Sequence, residues 1–307
     1  MDKQLQLIDR GPWDVFTTGD ASRVGLGSFR LVELARETVL DHLGRSLFAF
    51  HPSEPLSAED AHRRLTAGIT RLHPDAVLIC RSAVVAHGLP VFDVDLGRAL
   101  IARPVTAERV AQHWTTRPKV DWLGSVDTEA GRAAGIAAAL VLHALEDGPI
   151  AGIVALDQAL HESRVEIAEV EELAELVTRW PKSSHVRTML AYADGRSESV
   201  GESRTRVELA MAGIEVEPQY EISDEGGRFV ARVDLRIKAS KVLLEFDGLQ
   251  KYRGEDGTEA LIAEKRREDE LRRLGYVVVR FTWADLYVPG RIVARVRAAL
   301  AAERAAA

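Results

Sequence analysis

Two runs of alternating apolar and charged residues, "RVDLRI" at 232–237 and "VLLEFDG" at 242–248, are joined by only the four residues "KASK" at 238–241. A link that short between two period-two runs leaves an antiparallel hairpin as the arrangement that buries one face of each strand. A two-residue and a four-residue loop give the same register, in which Ile237 opposes Val242, Lys238 opposes Lys241 and Asp234 opposes Glu245. Alternation places Val233, Leu235 and Ile237 on one face, and Arg232, Asp234 and Arg236 on the other. In the second run Val242, Leu244 and Phe246 are set against Leu243, Glu245 and Asp247.

Directly opposed side chains on a hairpin have Cβ atoms about 4.5–5.5 Å apart. Two carboxylates that close repel one another, and more so once desolvated, so the pair calls for a cation or a shared proton unless the face is simply solvated. A divalent ion meets the first need. Magnesium, with manganese as a substitute, takes a few carboxylates and completes its octahedron with water. It can clamp a phosphate, activate an attacking water and stabilise a leaving oxygen. Asp234 and Glu245 are the expected ligands, with Asp247 as a further acid, and Gly248 permits close backbone approach at the strand end.

The flanking sequence supplies a layered frame. A helical pattern over 202–212 stops at Gly213, a strand pattern "PQYEI" follows, and after the hairpin a long helical pattern over 259–274 stops at Gly275 before the strand "YVVVRFTW". Helix, hairpin, helix and strand in that order predict an α/β domain over 197–307. Glu202 closes a capping box, "SVGE", with Ser199 as the cap, or it faces the metal from the start of its helix. Glu264, Arg267, Leu271 and Leu274 share one stripe of the long helix. Arg267 therefore either pairs with Glu264 at the core edge or orients a site carboxylate or meets a phosphate. Lys265 and Arg266 read as surface or phosphate-contact residues.

The remainder of the 307 residues divides at about 75 and 196. Over 1–75, two short helical patterns separated by "GLGS" and followed by the strand-like "SLFAF" suit a mainly α domain of the helix-turn-helix kind with a wing. Over 76–196, Ala- and Leu-rich patterns such as "AAGIAAALVLHALEDG" predict a mainly helical region. His87, His143 and His161 lie in or beside such patterns, without an acidic partner at ligand spacing, and read as satisfied or surface histidines. The single cysteine, Cys80, reads as a small core residue and excludes both an internal disulfide and zinc-finger spacing. No run approaches the about 20 apolar residues of a membrane helix, and the first residues lack the apolar segment of a signal peptide, so a cytoplasmic protein without membrane contact is expected. The net charge of −7 argues against non-specific coating of nucleic acid. Residues 197–307 nonetheless carry 19 Lys and Arg against 20 Asp and Glu, so local basic patches remain open to them.

The motifs "GESRTRVELAMAGIEVEPQYEI", "RVDLRIKASKVLLEFDGLQKY" and "EKRREDELRRLGYVVVRFTWADL" together resemble the domain family related to very-short-patch-repair endonucleases, within the PD-(D/E)xK superfamily. The resemblance implies a restriction-endonuclease-like fold and a magnesium-dependent endonuclease acting on DNA in repair or defence. The helix glutamate, the hairpin aspartate and the following acid would be Glu202, Asp234 and Glu245. The lysine that activates water in that superfamily would fall at Asp247, so Lys251 or Gln250 from "DGLQK" takes its place, or the site is degenerate; Gln250 is also a candidate DNA contact. The segments "VFTTGDASRVGL", "RSLFAF" and "AVLICRSAVVAHGLPVF" are similar to AbiEi-type antitoxins, which implies a winged helix on promoter DNA and a cognate toxin as partner. The alternative to a nuclease is thus an antitoxin-like regulator whose nuclease-like domain is a scaffold, and RNA stands beside DNA as a substrate.

Overall fold

The structure is a computed structural model that describes residues 3–247 and 257–306, with side chains over 265–305 in the second stretch. The chain divides into two compact units, one of Met1–Ala155 with Arg164–Ala191 and the other of Leu156–Ser163 with Tyr192–Ala307. It is mixed α/β, and among the described residues no helix is long and apolar enough to cross a membrane.

The first unit opens with β1 (Val15–Thr17), α1 (Thr18–Arg23), α2 (Ser28–Arg36), β2 (Leu40–Gly44) and β3 (Leu47–Phe50). The strands form an antiparallel sheet in the order β1-β3-β2, and Phe16, Leu31, Leu34 and Phe48 pack into one core. The two short helices and the strand at Leu47–Phe50 match the sequence pattern, while β2 was not read as a strand and the three-residue β1 is too short to show alternation.

The next stretch adds a sheet to the helices expected there. After α3 (Ala58–Leu72) come β4 (Val77–Leu78), α4 (Cys80–Ala86), β5 (Ala99–Arg103), β6 (Arg109–Val110), β7 (Trp114–Pro118), β8 (Val126–Thr128) and β9 (Gly131–Ala133). These strands build a sheet in the order β6-β7-β5-β4-β9-β8. Each is only two to five residues long, and β5 is buried along nearly its whole length, so no period-two signal survives in the sequence. The helices expected beyond it are present as α5 (Ile136–Asp147), α6 (Pro149–His161), α7 (Ile167–Leu176) and α8 (Ser183–Tyr192). Cys80 is buried as expected, and burial pushes its thiol up, away from reactivity. Its backbone takes a φ of 50°, which a non-glycine residue rarely adopts.

The second unit contains α9 (Val200–Met211), β10 (Val216–Ser223), β11 (Phe229–Ile237), β12 (Val242–Phe246), α10 (Gly257–Arg273), β13 (Val277–Phe281), α11 (Trp283–Leu286) and α12 (Arg291–Ala306). Its sheet runs β10-β11-β12-β13, antiparallel except for the parallel pair β12 and β13. Leu209 of α9 and Ile292 and Val296 of α12 cover one face with Leu235, Ile237, Val242 and Leu244, while Leu271 of α10 covers the other with Val233 and Leu243. Glycines end both flanking helices as the sequence predicts, with φ of 74° at Gly213 and 84° at Gly275.

In one respect β11 departs from simple alternation. Val233 packs on the α10 side and Leu235 on the α9 side, although residues two apart in a regular strand share a face. The change falls at Asp234. Strand β10 pairs through Pro218↔Leu235 and Tyr220↔Val233, and between them Gln219 has a φ of 51°. A left-handed residue in one strand re-aims the ladder locally, so the single face read for Val233, Leu235 and Ile237 does not hold across Asp234.

In the first unit, Asp20 fixes how α1 meets α3. Its carboxylate accepts from the Thr17 amide at 2.8 Å and from Arg71 Nε of α3 at 2.7 Å. Burial pushes this carboxyl up, but the bonds from Arg71 and Thr17 outweigh it and hold the group at about 2. Because the folded value lies below the ordinary 3.8, this contribution to stability is present above pH about 4 and disappears as the pH falls through about 2. The shift corresponds to about 2 kcal/mol. Thermal melts of the Asp20→Asn variant are expected to show that loss already at pH 7 and a flatter decline than wild type between pH 4 and 2; superimposable profiles would contradict the role assigned to Asp20.

Candidate functional site

The hairpin forms in the register its sequence dictates. Leu235 opposes Leu244 and Arg236 opposes Leu243, which sets Asp234 against Glu245 at the next position. The ladder stops there. Instead of continuing backbone to backbone, Asp234 Oδ2 accepts the amide hydrogen of Phe246 at 2.7 Å. On its other edge β12 stays paired, through Phe246↔Phe281, and the Asp247 amide donates to the Phe281 carbonyl at 2.7 Å. The strands therefore separate at the acids while β12 remains anchored to β13.

Helix α9 brings the third carboxylate. Ser199 caps it by accepting from the Glu202 amide at 3.2 Å, and Glu202 accepts in return from the Ser199 hydroxyl at 2.8 Å and the Glu198 amide at 3.0 Å. Its Oε2 also accepts from Gln219 Nε2 at 2.8 Å, which connects the left-handed kink of β10 to the helix start. Glu202 thus completes the cap, and it also lines one small cavity with Thr205, Asp234, Glu245, Phe246 and Phe281. Close approach depends on Gly201, where a Cβ would overlap the Phe246 ring. Farther along α9, Arg206 forms a buried ion pair with Asp157 of α6 at 2.7 Å, and Asp157 also accepts from the Asp194 amide at 2.7 Å. Burial pushes the Asp157 carboxyl up, against the opposing pull of Arg206, that amide and Ser203.

Glu245 is held from two sides. Arg267 Nη1 of α10 lies 2.8 Å from its Oε1, and Arg280 Nε, its direct neighbour across β12 and β13, lies 3.2 Å from Oε2. Arg280 also reaches Glu268 at 3.0 Å. Arg267 thus pairs with a site carboxylate, one of its two readings; the other, with Glu264, falls on a side chain outside the described residues. Lys265 and Arg266 are exposed on α10. Gln250 and Lys251 lie outside the described residues, as does the side chain of Glu264.

In donor type, Glu202, Asp234 and Glu245 suit a hard divalent cation: three carboxylates from three elements on one wall. In arrangement they are engaged elsewhere. Among the described residues no three Asp, Glu, His or Cys side chains are gathered to hold a metal, and the shared cavity has no room for a water molecule. An ion would have to displace the guanidinium groups on Glu245.

Arg280 and Gln219 escaped sequence reading. Arg280 is the one charged residue inside "YVVVRF", a signal that could have marked it, whereas nothing in "PQYEI" reveals the φ of Gln219. The histidines also need one correction. Fully buried His143 does have an acid partner one turn on, Asp147 at 2.8 Å, which in turn pairs with Arg81. His87 and His161 meet backbone carbonyls of Ala134 and Gly195.

No family model matches the chain. It is 29% identical over 146 residues to the uncharacterized proteins MT2308 and Rv2248 of two Mycobacterium tuberculosis strains, a span of 47% of this chain and 52% of each of those. The chain thus spans about half the length of the curated relatives it matches. Among solved structures, the RV2827C protein from Mycobacterium tuberculosis is similar at a TM-score of 0.36 and 20% identity, covering 62% of this chain and 80% of that one.

The Gly201 contact yields a direct test of the site's assembly. A methyl group there must push α9 away from Phe246, and overpacking of this kind costs about 1–3 kcal/mol. Chemical denaturation of the Gly201→Ala variant is expected to register that loss; unchanged stability would mean that α9 and β12 are not in this contact.

Proposed function

We propose that the unit carrying Tyr192–Ala307 hydrolyses phosphodiester bonds in DNA with the help of Mg²⁺ or Mn²⁺, as expected of an enzyme related to the very-short-patch-repair endonucleases in the PD-(D/E)xK superfamily. One observation carries this reading: Glu202, Asp234 and Glu245, from α9, β11 and β12, line a single cavity at the point where two strands part. These are the three positions at which the motif resemblance expects its acids; the hairpin alone opposes Asp234 and Glu245, whereas Glu202 arrives from a separate helix.

In this reading Asp234 and Glu245 hold the ion, with Glu202 and Asp247 as further acidic ligands or water positioners. When bound, the ion supplies a water of lowered pKa and positive charge at the leaving oxygen. Asp234 is already fixed by the Phe246 amide, so its carboxylate is pre-oriented. Lys251 is proposed to stabilise the attacking hydroxide or the scissile phosphate, and Lys265, Arg266 and Gln250 to contact the DNA backbone. A cytoplasmic location suits such a substrate.

A second reading has its own support. With Glu245 paired to two arginines and no metal-holding group among the described residues, the same unit can serve as a scaffold in an antitoxin-like regulator. DNA would then be bound through the winged-helix-like elements of the first unit, in company with a cognate toxin. That reading predicts salt-sensitive duplex binding that survives a chelator.

Nicking of supercoiled plasmid in Mg²⁺ or Mn²⁺ separates the two. Wild type is expected to nick, and Asp234→Ala to lose about two orders of magnitude or more, the scale on which one transition-state contact is felt. Equal activity in both proteins would refute the assignment of Asp234, and no nicking by wild type, with duplex retained in chelator, would favour the regulator.

A further inference from the structure

Glu245 sits in an environment that a metal ligand does not ordinarily occupy. Its side chain is only 12% exposed, and its two oxygens face two different guanidinium groups, Arg267 at 2.8 Å and Arg280 at 3.2 Å. The arginines themselves are reachable from solvent, at 28% and 38%. They come from separate elements, α10 and β13, and both reach this carboxylate. Arg280 is further steadied by Glu268 at 3.0 Å, and although burial opposes its charge, Glu245 and Glu268 push its pKa up, so it stays cationic.

Two forked guanidinium groups converging on one carboxylate are also the arrangement that grips a phosphate, since carboxylate and phosphate oxygens offer the same bidentate geometry. We propose that Arg267 and Arg280 are the receivers of a nucleic-acid phosphate, and that Glu245 holds their place as an internal anion until that phosphate arrives. This rests on the nuclease reading above and adds an order of events to it. While the arginines hold Glu245, its carboxylate is neutralised and unavailable to a cation. A backbone phosphate that draws the guanidinium groups outward leaves Glu245 beside Asp234 and Glu202 without a counter-charge, and like charges so placed favour a divalent cation.

Nucleic acid and metal are then linked ligands: each tightens the other by the same factor.

The test reads metal binding rather than cleavage. Mn²⁺ is titrated into the full chain by electron paramagnetic resonance, alone and with a saturating phosphorothioate duplex that resists hydrolysis. Wild type is expected to bind Mn²⁺ about tenfold more tightly with the duplex, within the usual range of coupling between two sites. Arg280→Gln and Arg267→Gln are each expected to tighten Mn²⁺ in the absence of duplex. Both should also weaken duplex binding and reduce its dependence on log salt by about one unit per phosphate contact removed. Circular dichroism melts identify whether either variant is unfolded, and the wild-type comparison with and without duplex needs no variant. Mn²⁺ bound equally with and without duplex would overturn the arginine relay while leaving the nuclease reading in place. Absence of Mn²⁺ binding under every condition would overturn both.

Discussion

The bond between the Asp234 carboxylate and the Phe246 amide is the constraint on which the second unit's site depends. A hairpin whose apolar residues alternate cleanly would extend its ladder past Leu235↔Leu244 and close the strands on one another. Here a side chain takes the amide, at 2.7 Å, so the strands part without leaving a buried donor unpaired. The gap so created is where Glu202 arrives. Its helix can come close only because Gly201 presents no side chain to Phe246, and Phe246 is in turn braced edge-on against Trp283 with ring centres 5.2 Å apart. Backbone geometry on the far side contributes as well: the left-handed Gln219 turns its amide to Glu202 and lies where β11 changes the face it buries.

Electrostatics explains why the acids are tolerated. Asp234 is satisfied by a backbone amide, Glu202 by the capping bonds of its own helix and Gln219, and Glu245 by two arginines. A buried pair, Asp157 with Arg206, ties the same helix to the end of α6. The carboxylates therefore line one cavity yet are individually compensated by protein groups.

Much of this was legible in the amino-acid sequence wherever the signal was local. The hairpin register follows from two alternating runs and a four-residue link, and the ends of α9 and α10 follow from Gly213 and Gly275. Ser199 and Glu202 announce a cap three residues apart. What sequence could not supply was of longer range or lacked periodicity. The sheet of the first unit is made of strands too short to alternate, and the partners of Glu245 are 22 and 35 positions away on other elements. The switch of face at Asp234 depends on one φ angle in a neighbouring strand, which no side-chain pattern encodes. His143 differs from the expectation for a simpler reason: its partner, Asp147, lies one turn on in the same helical run.

Hydrogen exchange at the Phe246 amide measures the central bond most directly. In native wild-type protein this amide is expected to be protected to the degree of its neighbours Leu244 and Glu245. In Asp234→Ala its exchange should quicken by about tenfold or more, the equivalent of a net hydrogen bond worth about 1–2 kcal/mol, while Leu244 remains protected. Unchanged protection of Phe246 in the variant would mean that the ladder closes without Asp234, and the parted strands on which the site is built would have to be abandoned.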